Sequence, residues 1–213
     1  MLKANKKTLI IASIVTLLPV LIGIVLWNRL PDRMAIHFGI NNEADGYSSR
    51  AVAVFWLPLF LLAVEWFGAF VMANDPKKQN ISSKLFSFSL WIVPVVSLVM
   101  AAALYSYNLG YQVNFSFVAF LLLGIMFIII GNYLPKARQN YTMGIKIPWT
   151  LANEENWNLT HRLAGVLWVI SGILMVIAAL TGVGGAAWLM PVVALTILIP
   201  CIYSFWLHVK KNL

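Results

Sequence analysis

The side chains of this sequence that could do chemistry fall in three places. Glu65 stands alone inside a long apolar run. His37 has Glu43 and Asp45 close by. The stretch 132–162 carries Glu154, His161 and Arg162 among aromatic and turn-forming residues. An acid in mid-membrane costs about 2.5–3.5 kcal/mol on insertion scales, so it is kept for a reason. Glu65 reads as a proton site or as a partner for a cationic peptide, or else as a protonated or hydrogen-bonded glutamate facing other helices. One imidazole with two carboxylates could hold a metal ion at His37, but no ligand spacing supports it, and a surface or cap-packing histidine fits better. Glu154 and His161 are two helical turns apart, roughly 10.5 Å of rise, too far for one ion without further ligands. There is no HExxH, nucleophile elbow or Cys/His pair. Cys201, the single cysteine, excludes an internal disulfide framework and a Cys-rich metal site. Neither enzyme activity nor a metal or cofactor is expected.

The elements that must carry these residues follow from composition. Of 213 residues, 61% are hydrophobic and only 10% charged, far from the quarter charged of an ordinary soluble domain. Runs of at least 20 residues nearly free of charge at about 8–27, 51–73, 85–107, 113–133, 161–181 and 187–207 predict six transmembrane helices. The expected fold is thus an all-α integral membrane protein. The first run is too long for a removable signal peptide. Lys3, Lys6, Lys7, Lys77, Lys78, Lys84, Lys136, Arg138, Lys146, Arg162, Lys210 and Lys211 all fall on one side, against Arg29, Arg33 and Arg50 on the other. The positive-inside rule then places both termini in the cytoplasm. Trp27, Trp56, Tyr105, Tyr107 and Trp188 at the outer ends, with Tyr133, Tyr203 and Trp206 at the inner ends, form aromatic belts. Pro58, Pro94, Pro191 and Pro200 are expected to bend their helices. Gly124, Gly131, Gly165 and Gly172 could let helices approach closely.

With short links at 108–112 and 182–186, work outside the lipid falls to 28–50 and 134–160. At the outer segment, alternation over 33–38 and turn chemistry at Asn41-Asn42 and Asp45-Gly46 predict a strand-turn cap. In the inner segment Tyr141, Met143, Ile145 and Ile147 alternate with polar residues, predicting an extended stretch ended by Pro148. Asn153 should cap a helix with Glu154 and Glu155 in its first turn, running straight into span five. Glu154, Trp157, His161, Gly165 and Trp168 would share one face of it, a stripe that normally packs. Trp149 and Trp157 could sit at the headgroups or anchor a protein partner. The expected division is 1–107, three spans with the cap at 28–50, and 108–213, three spans with the cytoplasmic motif at 132–162.

The inner stretch, N-x-x-P-K-x-R-x-N-Y-x-x-G-I-K-I-P-W-T-L-x-N-E-E-x-W-x-x-T-H-R at 132–162, resembles the signature of SdpI-type bacterial immunity proteins. The outer L-P-D-R-M-A-I-H-F-G at 30–39, with Asp45-Gly46, resembles the domain of unknown function that precedes that signature in many members. Lys146 stands where an arginine is common, and lysine lacks the planar fork for bidentate binding. The resemblance implies self-protection against a secreted, membrane-active peptide toxin, and capture of a soluble repressor at the membrane while toxin is present. Asn140, Gly144, Lys146, Pro148, Trp149, Thr150, Glu154, Trp157, His161 and Arg162 then become the expected cytoplasmic partner-binding motif. Pro31, His37, Phe38 and Gly46 are the expected extracytoplasmic ligand-facing residues, and Glu65 the intramembrane one. The expected partners are the bilayer, the toxin and the repressor, without direct nucleic-acid binding. The rival readings are a small transporter or exporter, and a sensor with no protective role.

Overall fold

In a bilayer only helices and closed barrels satisfy every backbone N–H and C=O, so long apolar runs must become helices. The computed structural model describes residues 1–39, 41–182 and 185–213, and for 185–189 the backbone alone. It is mostly helical: α1 is Lys6–Val25, α2 Leu57–Ala73, α3 Ser83–Ser89, α4 Ile92–Asn108, α5 Phe115–Tyr133, α6 Pro148–Ala152, α7 Glu154–Thr181 and α8 Gly185–Lys211. Among the described residues six helical stretches are long and apolar enough to cross a membrane, as predicted. The side chain of Trp188 and residues 183–184 of the expected link lie outside the described residues.

Span three is α3 plus α4, with a break at Leu90–Trp91. Pro94 has no N–H to give to the Leu90 carbonyl, which is consistent with a break at this point. Span two opens on a π-helical turn, Val52–Trp56, in which the Leu57 N–H reaches back five residues to Val52. Pro58 follows immediately and cannot bond the Val54 carbonyl, which is consistent with a widened turn at this point. Pro19, not singled out from the sequence, also lies inside α1.

The chain forms two compact units: residues 1–73 with 83–118, and 74–82 with 119–213. In the first, the strands β1 (Arg33–Phe38) and β2 (Ala44–Ser49) pair antiparallel as the predicted cap, with register shifts between Ala35 and Phe38. Met34 and Ala35 are both buried, so the simple alternation fails there. Met34, Leu30, Val54, Leu104, Tyr105 and Phe115 form the core under the cap. Asn108 explains the exception: its amide donates to the Ala35 carbonyl at 3.0 Å and its carbonyl accepts the Ala35 N–H at 2.9 Å. It serves β1 as a neighbouring strand would. Asn42, in the left-handed region at φ 67°, turns the hairpin and accepts the Phe115 N–H at 2.6 Å, capping the start of α5.

In the second unit the predicted glycines meet in pairs. A Cβ on Gly124 would lie 2.8 Å from the Gly172 carbonyl oxygen, and one on Gly131 would lie 2.9 Å from that of Gly165. The antiparallel α5 and α7 therefore cross with their backbones in contact. The helices α7 and α8 are joined by a 2.9 Å bond between the Ser171 and Thr196 hydroxyls. The wholly buried Asn156 strengthens that joint, donating to the Ser204 carbonyl at 3.0 Å and accepting the Ser204 hydroxyl at 2.5 Å.

Candidate functional site

The motif at 132–162 folds around two rings of α7. Asn153 caps that helix, accepting the Asn156 N–H at 2.9 Å, with Glu154 and Glu155 in the first turn as expected. One turn on, Trp157 is completely buried and donates its indole N–H to the Ala137 carbonyl at 2.7 Å. His161 stacks on it at 4.0 Å between ring centroids. His161 Nδ1 lies 2.8 Å from the Trp157 carbonyl, which can only accept, and Nε2 lies 2.9 Å from the Ile145 N–H, which can only donate. Both partners fix the neutral Nδ1–H tautomer. Histidine thus fastens the loop to the helix.

The loop above is extended only at its end, where Ile147 precedes Pro148. Over 141–144 the expected extended stretch gives way to bends, because Asn140 accepts the Thr142 and Met143 N–H groups at 2.9 and 2.6 Å and Gly144 turns at φ +108°. Local side-chain bonds thereby replace a strand that has no partner. A Cβ at Gly144 would run into His161 Nε2, so the position demands glycine for conformation and for room. Pro148 then starts the short α6 at its first position, where no N–H is required. Thr150, wholly buried, donates to the Ile145 carbonyl at 2.7 Å. Trp149 packs edge-on against Phe205 at 5.2 Å.

The expected binding set therefore divides. Asn140, Thr150, Trp157 and His161 are interior, and the ring of Trp157 faces neither headgroups nor a partner. Lys146, Glu154, Arg162, Pro148 and Gly144 are exposed, as are Lys136 and Arg138 beside them. Lys146 Nζ donates to the Thr142 carbonyl at 2.8 Å.

The residue that sequence reading missed is Asp75. Buried in the segment between α2 and α3, it accepts the Tyr141 N–H at 2.9 Å, the Lys77 N–H at 2.7 Å and the Thr142 hydroxyl. Beside it Lys77 donates to the Gln139 side chain, and Asn80 to the Gln139 carbonyl at 2.7 Å. Gln139 in turn donates to the Thr150 carbonyl at 2.7 Å. Segment 74–82 is thus a clamp on the motif. The available signal was one acid, next to a proline, in a loop otherwise carrying lysines.

Of the hairpin residues, His37 Nδ1 lies 2.5 Å from Asp45 Oδ1, and both side chains are well exposed. Glu43 instead accepts from Asn41 at 2.5 Å. Among the described residues no three His, Cys, Asp or Glu are placed to hold a metal ion. Gly46 stands opposite His37, whose Cβ would be 2.7 Å from a Cβ there. Phe38 stacks on Phe115 at 3.6 Å and meets Tyr107 edge-on at 4.7 Å. Pro31 is exposed, and near it Arg50 pairs with Asp32.

Glu65 is buried on α2 against α1. Its Oε2 accepts the Thr16 hydroxyl at 2.6 Å, and its Oε1 lies 3.0 Å from Ser13 Oγ.

These features define a class: a multi-pass membrane protein with a β-hairpin between its first two spans and a clamped, tryptophan-and-histidine-centred loop leading into its fifth. The SdpI/YfhL protein family matches residues 136–204, from the motif into α8, and a domain of unknown function (DUF1648) matches residues 14–62, which include the hairpin. The chain is 30% identical over 207 residues to the immunity protein SdpI of Bacillus subtilis (strain 168), covering 97% of this chain and 98% of that protein. The chain belongs to the SdpI family. No solved structure matches it. Glu65 and Asp75 lie outside both family-matched stretches.

Proposed function

We propose that this protein is a membrane immunity protein, protecting its bacterium from a secreted, membrane-active peptide. The observation that carries the reading is similarity to an immunity protein along nearly the whole chain, hairpin and motif together. The charge distribution supports an orientation with both termini and the motif in the cytoplasm and the hairpin outside. In this reading the hairpin and the neighbouring helix ends meet the peptide, with the exposed His37–Asp45 pair and Pro31 as the accessible polar and turn surface.

The second part of the proposal is capture of a soluble repressor by the exposed face of the motif. Lys146, Glu154, Arg162 and Pro148 offer that face, while Trp157, His161, Asn140 and Thr150 hold its shape. Peptide can favour the capturing state only if it binds that state better than the resting one. Expression in a toxin-sensitive strain tests the first part: survival should rise with the amount of protein in the membrane. No protection at verified membrane expression would overturn it. Pull-down of a soluble partner from challenged and unchallenged cells tests the second, with Lys146→Ala/Arg162→Ala expected to lose the partner and keep protection. Protection with no partner in either condition would leave immunity alone.

A further inference from the structure

We propose that Glu65 binds a proton on Oε1 and acts as a neutral hydrogen-bond donor inside the bilayer, a proton site built by α1 and α2. That state balances the donors and acceptors around Ser13. A serine hydroxyl has one hydrogen and two lone pairs. Ser13 Oγ has three polar atoms in range: the Leu9 carbonyl at 2.9 Å, Glu65 Oε1 at 3.0 Å and the Trp66 indole nitrogen at 3.0 Å. The carbonyl can only accept and the indole can only donate. With its hydrogen on Leu9, Ser13 has one lone pair for Trp66 and one left over. A proton on Oε1 fills it, while Oε2 accepts from Thr16 at 2.6 Å. Every donor then meets one acceptor. Ionised Glu65 would instead draw the Ser13 hydrogen away from Leu9 and leave a buried carboxylate held by two hydroxyls.

Among the described residues, the helices packed around Glu65 offer that anion no counter-charge. The only cations on α1 are Lys6 and Lys7, in its first turn, and neither α2 nor α4 carries one. From α4, Ser97 donates to the Thr16 carbonyl at 2.9 Å, and the Tyr105 hydroxyl is committed to the Pro19 carbonyl at 3.1 Å. A buried charge without a partner is far costlier than a buried neutral acid that is hydrogen-bonded. The site is also one side chain from lipid. Glu65 is only 3% exposed, but Trp66, whose indole N–H reaches Ser13, is 48% exposed. A reagent should therefore reach the acid from the hydrocarbon phase rather than from water.

Dicyclohexylcarbodiimide tests both points. It reacts with the protonated acid: the carboxyl proton goes to a carbodiimide nitrogen, the carboxyl oxygen bonds the central carbon, and an O-to-N acyl shift leaves a stable N-acylurea. With the full chain in phosphatidylglycerol–phosphatidylcholine vesicles at neutral pH, mass spectrometry should find the adduct on Glu65, with less as pH rises. A water-soluble carbodiimide with an amine nucleophile should modify Glu43 and spare Glu65. In Glu65→Gln the adduct and the infrared band of a protonated carboxyl should vanish while the melting temperature holds, because the amide N–H takes over the bond to Ser13. Glu65 left unlabelled in folded protein, or a wild-type spectrum with no protonated-carboxyl band, would overturn the proposal. Neither readout depends on toxin, so their failure is distinguishable from failure of the immunity reading.

Discussion

Asp75 and Trp157 show how much of the motif rests on single polar atoms. Trp157 uses its indole N–H to hold the Ala137 carbonyl at 2.7 Å in a fully buried position. Trp157→Phe keeps most of the ring and leaves that carbonyl without its donor, a loss of about 1–3 kcal/mol. It should lower the melting temperature in detergent, and Trp157→Tyr should not rescue it, since the phenol cannot place a donor at the indole position. Asp75→Ala removes the acceptor of the Tyr141 and Lys77 N–H groups and the Thr142 hydroxyl together. Limited proteolysis should then cut within 138–146 several-fold faster than in the wild type. An unchanged rate would mean that the loop is held from α7 alone.

At the scale of elements, helix pairs meet in two ways. The helices α5 and α7 touch through glycine backbones, and a Cβ on Gly172 would stand 2.5 Å from the Gly124 carbonyl oxygen. Backbone cannot give way as a flexible side chain can, so Gly172→Leu should separate the pair and lower the melting temperature clearly. Gly68, with nothing within 4 Å of its Cβ position, is the control, and Gly68→Ala should leave stability unchanged. By contrast α1 meets α2 and α4 through hydroxyls, Ser13 and Thr16 at Glu65, and Ser97 at the Thr16 carbonyl. Interhelical hydrogen bonds in membranes average about 0.6 kcal/mol, so each one alone contributes little.

For the whole molecule, the functional proposal depends on which side of the membrane the hairpin and the motif face. In a Cys201→Ser background, single cysteines at Glu43 and Lys146, both exposed, report this directly. A membrane-impermeant maleimide should label Glu43→Cys on intact cells and Lys146→Cys only after lysis. The reverse pattern, or labelling of both from outside, would remove the route by which a peptide arriving from outside could alter a cytoplasmic partner surface.

Six spans, the hairpin, the Asn153 cap and the glycine contacts were legible in the sequence, because hydrophobic length, turn chemistry and missing side chains act locally. The same reading made all of 141–147 extended where 141–144 bends, since alternation alone cannot tell a strand from a bent loop that has no strand to pair with. What only the tertiary structure decided is the division of the motif into an interior set around Trp157 and His161 and an exposed set around Lys146 and Arg162. Tertiary structure also brought Asp75 to Tyr141 across 66 positions and Ser13 to Glu65 across 52. A hydrogen bond between residues so far apart leaves no periodic trace in either segment; it exists only once packing has brought donor and acceptor together.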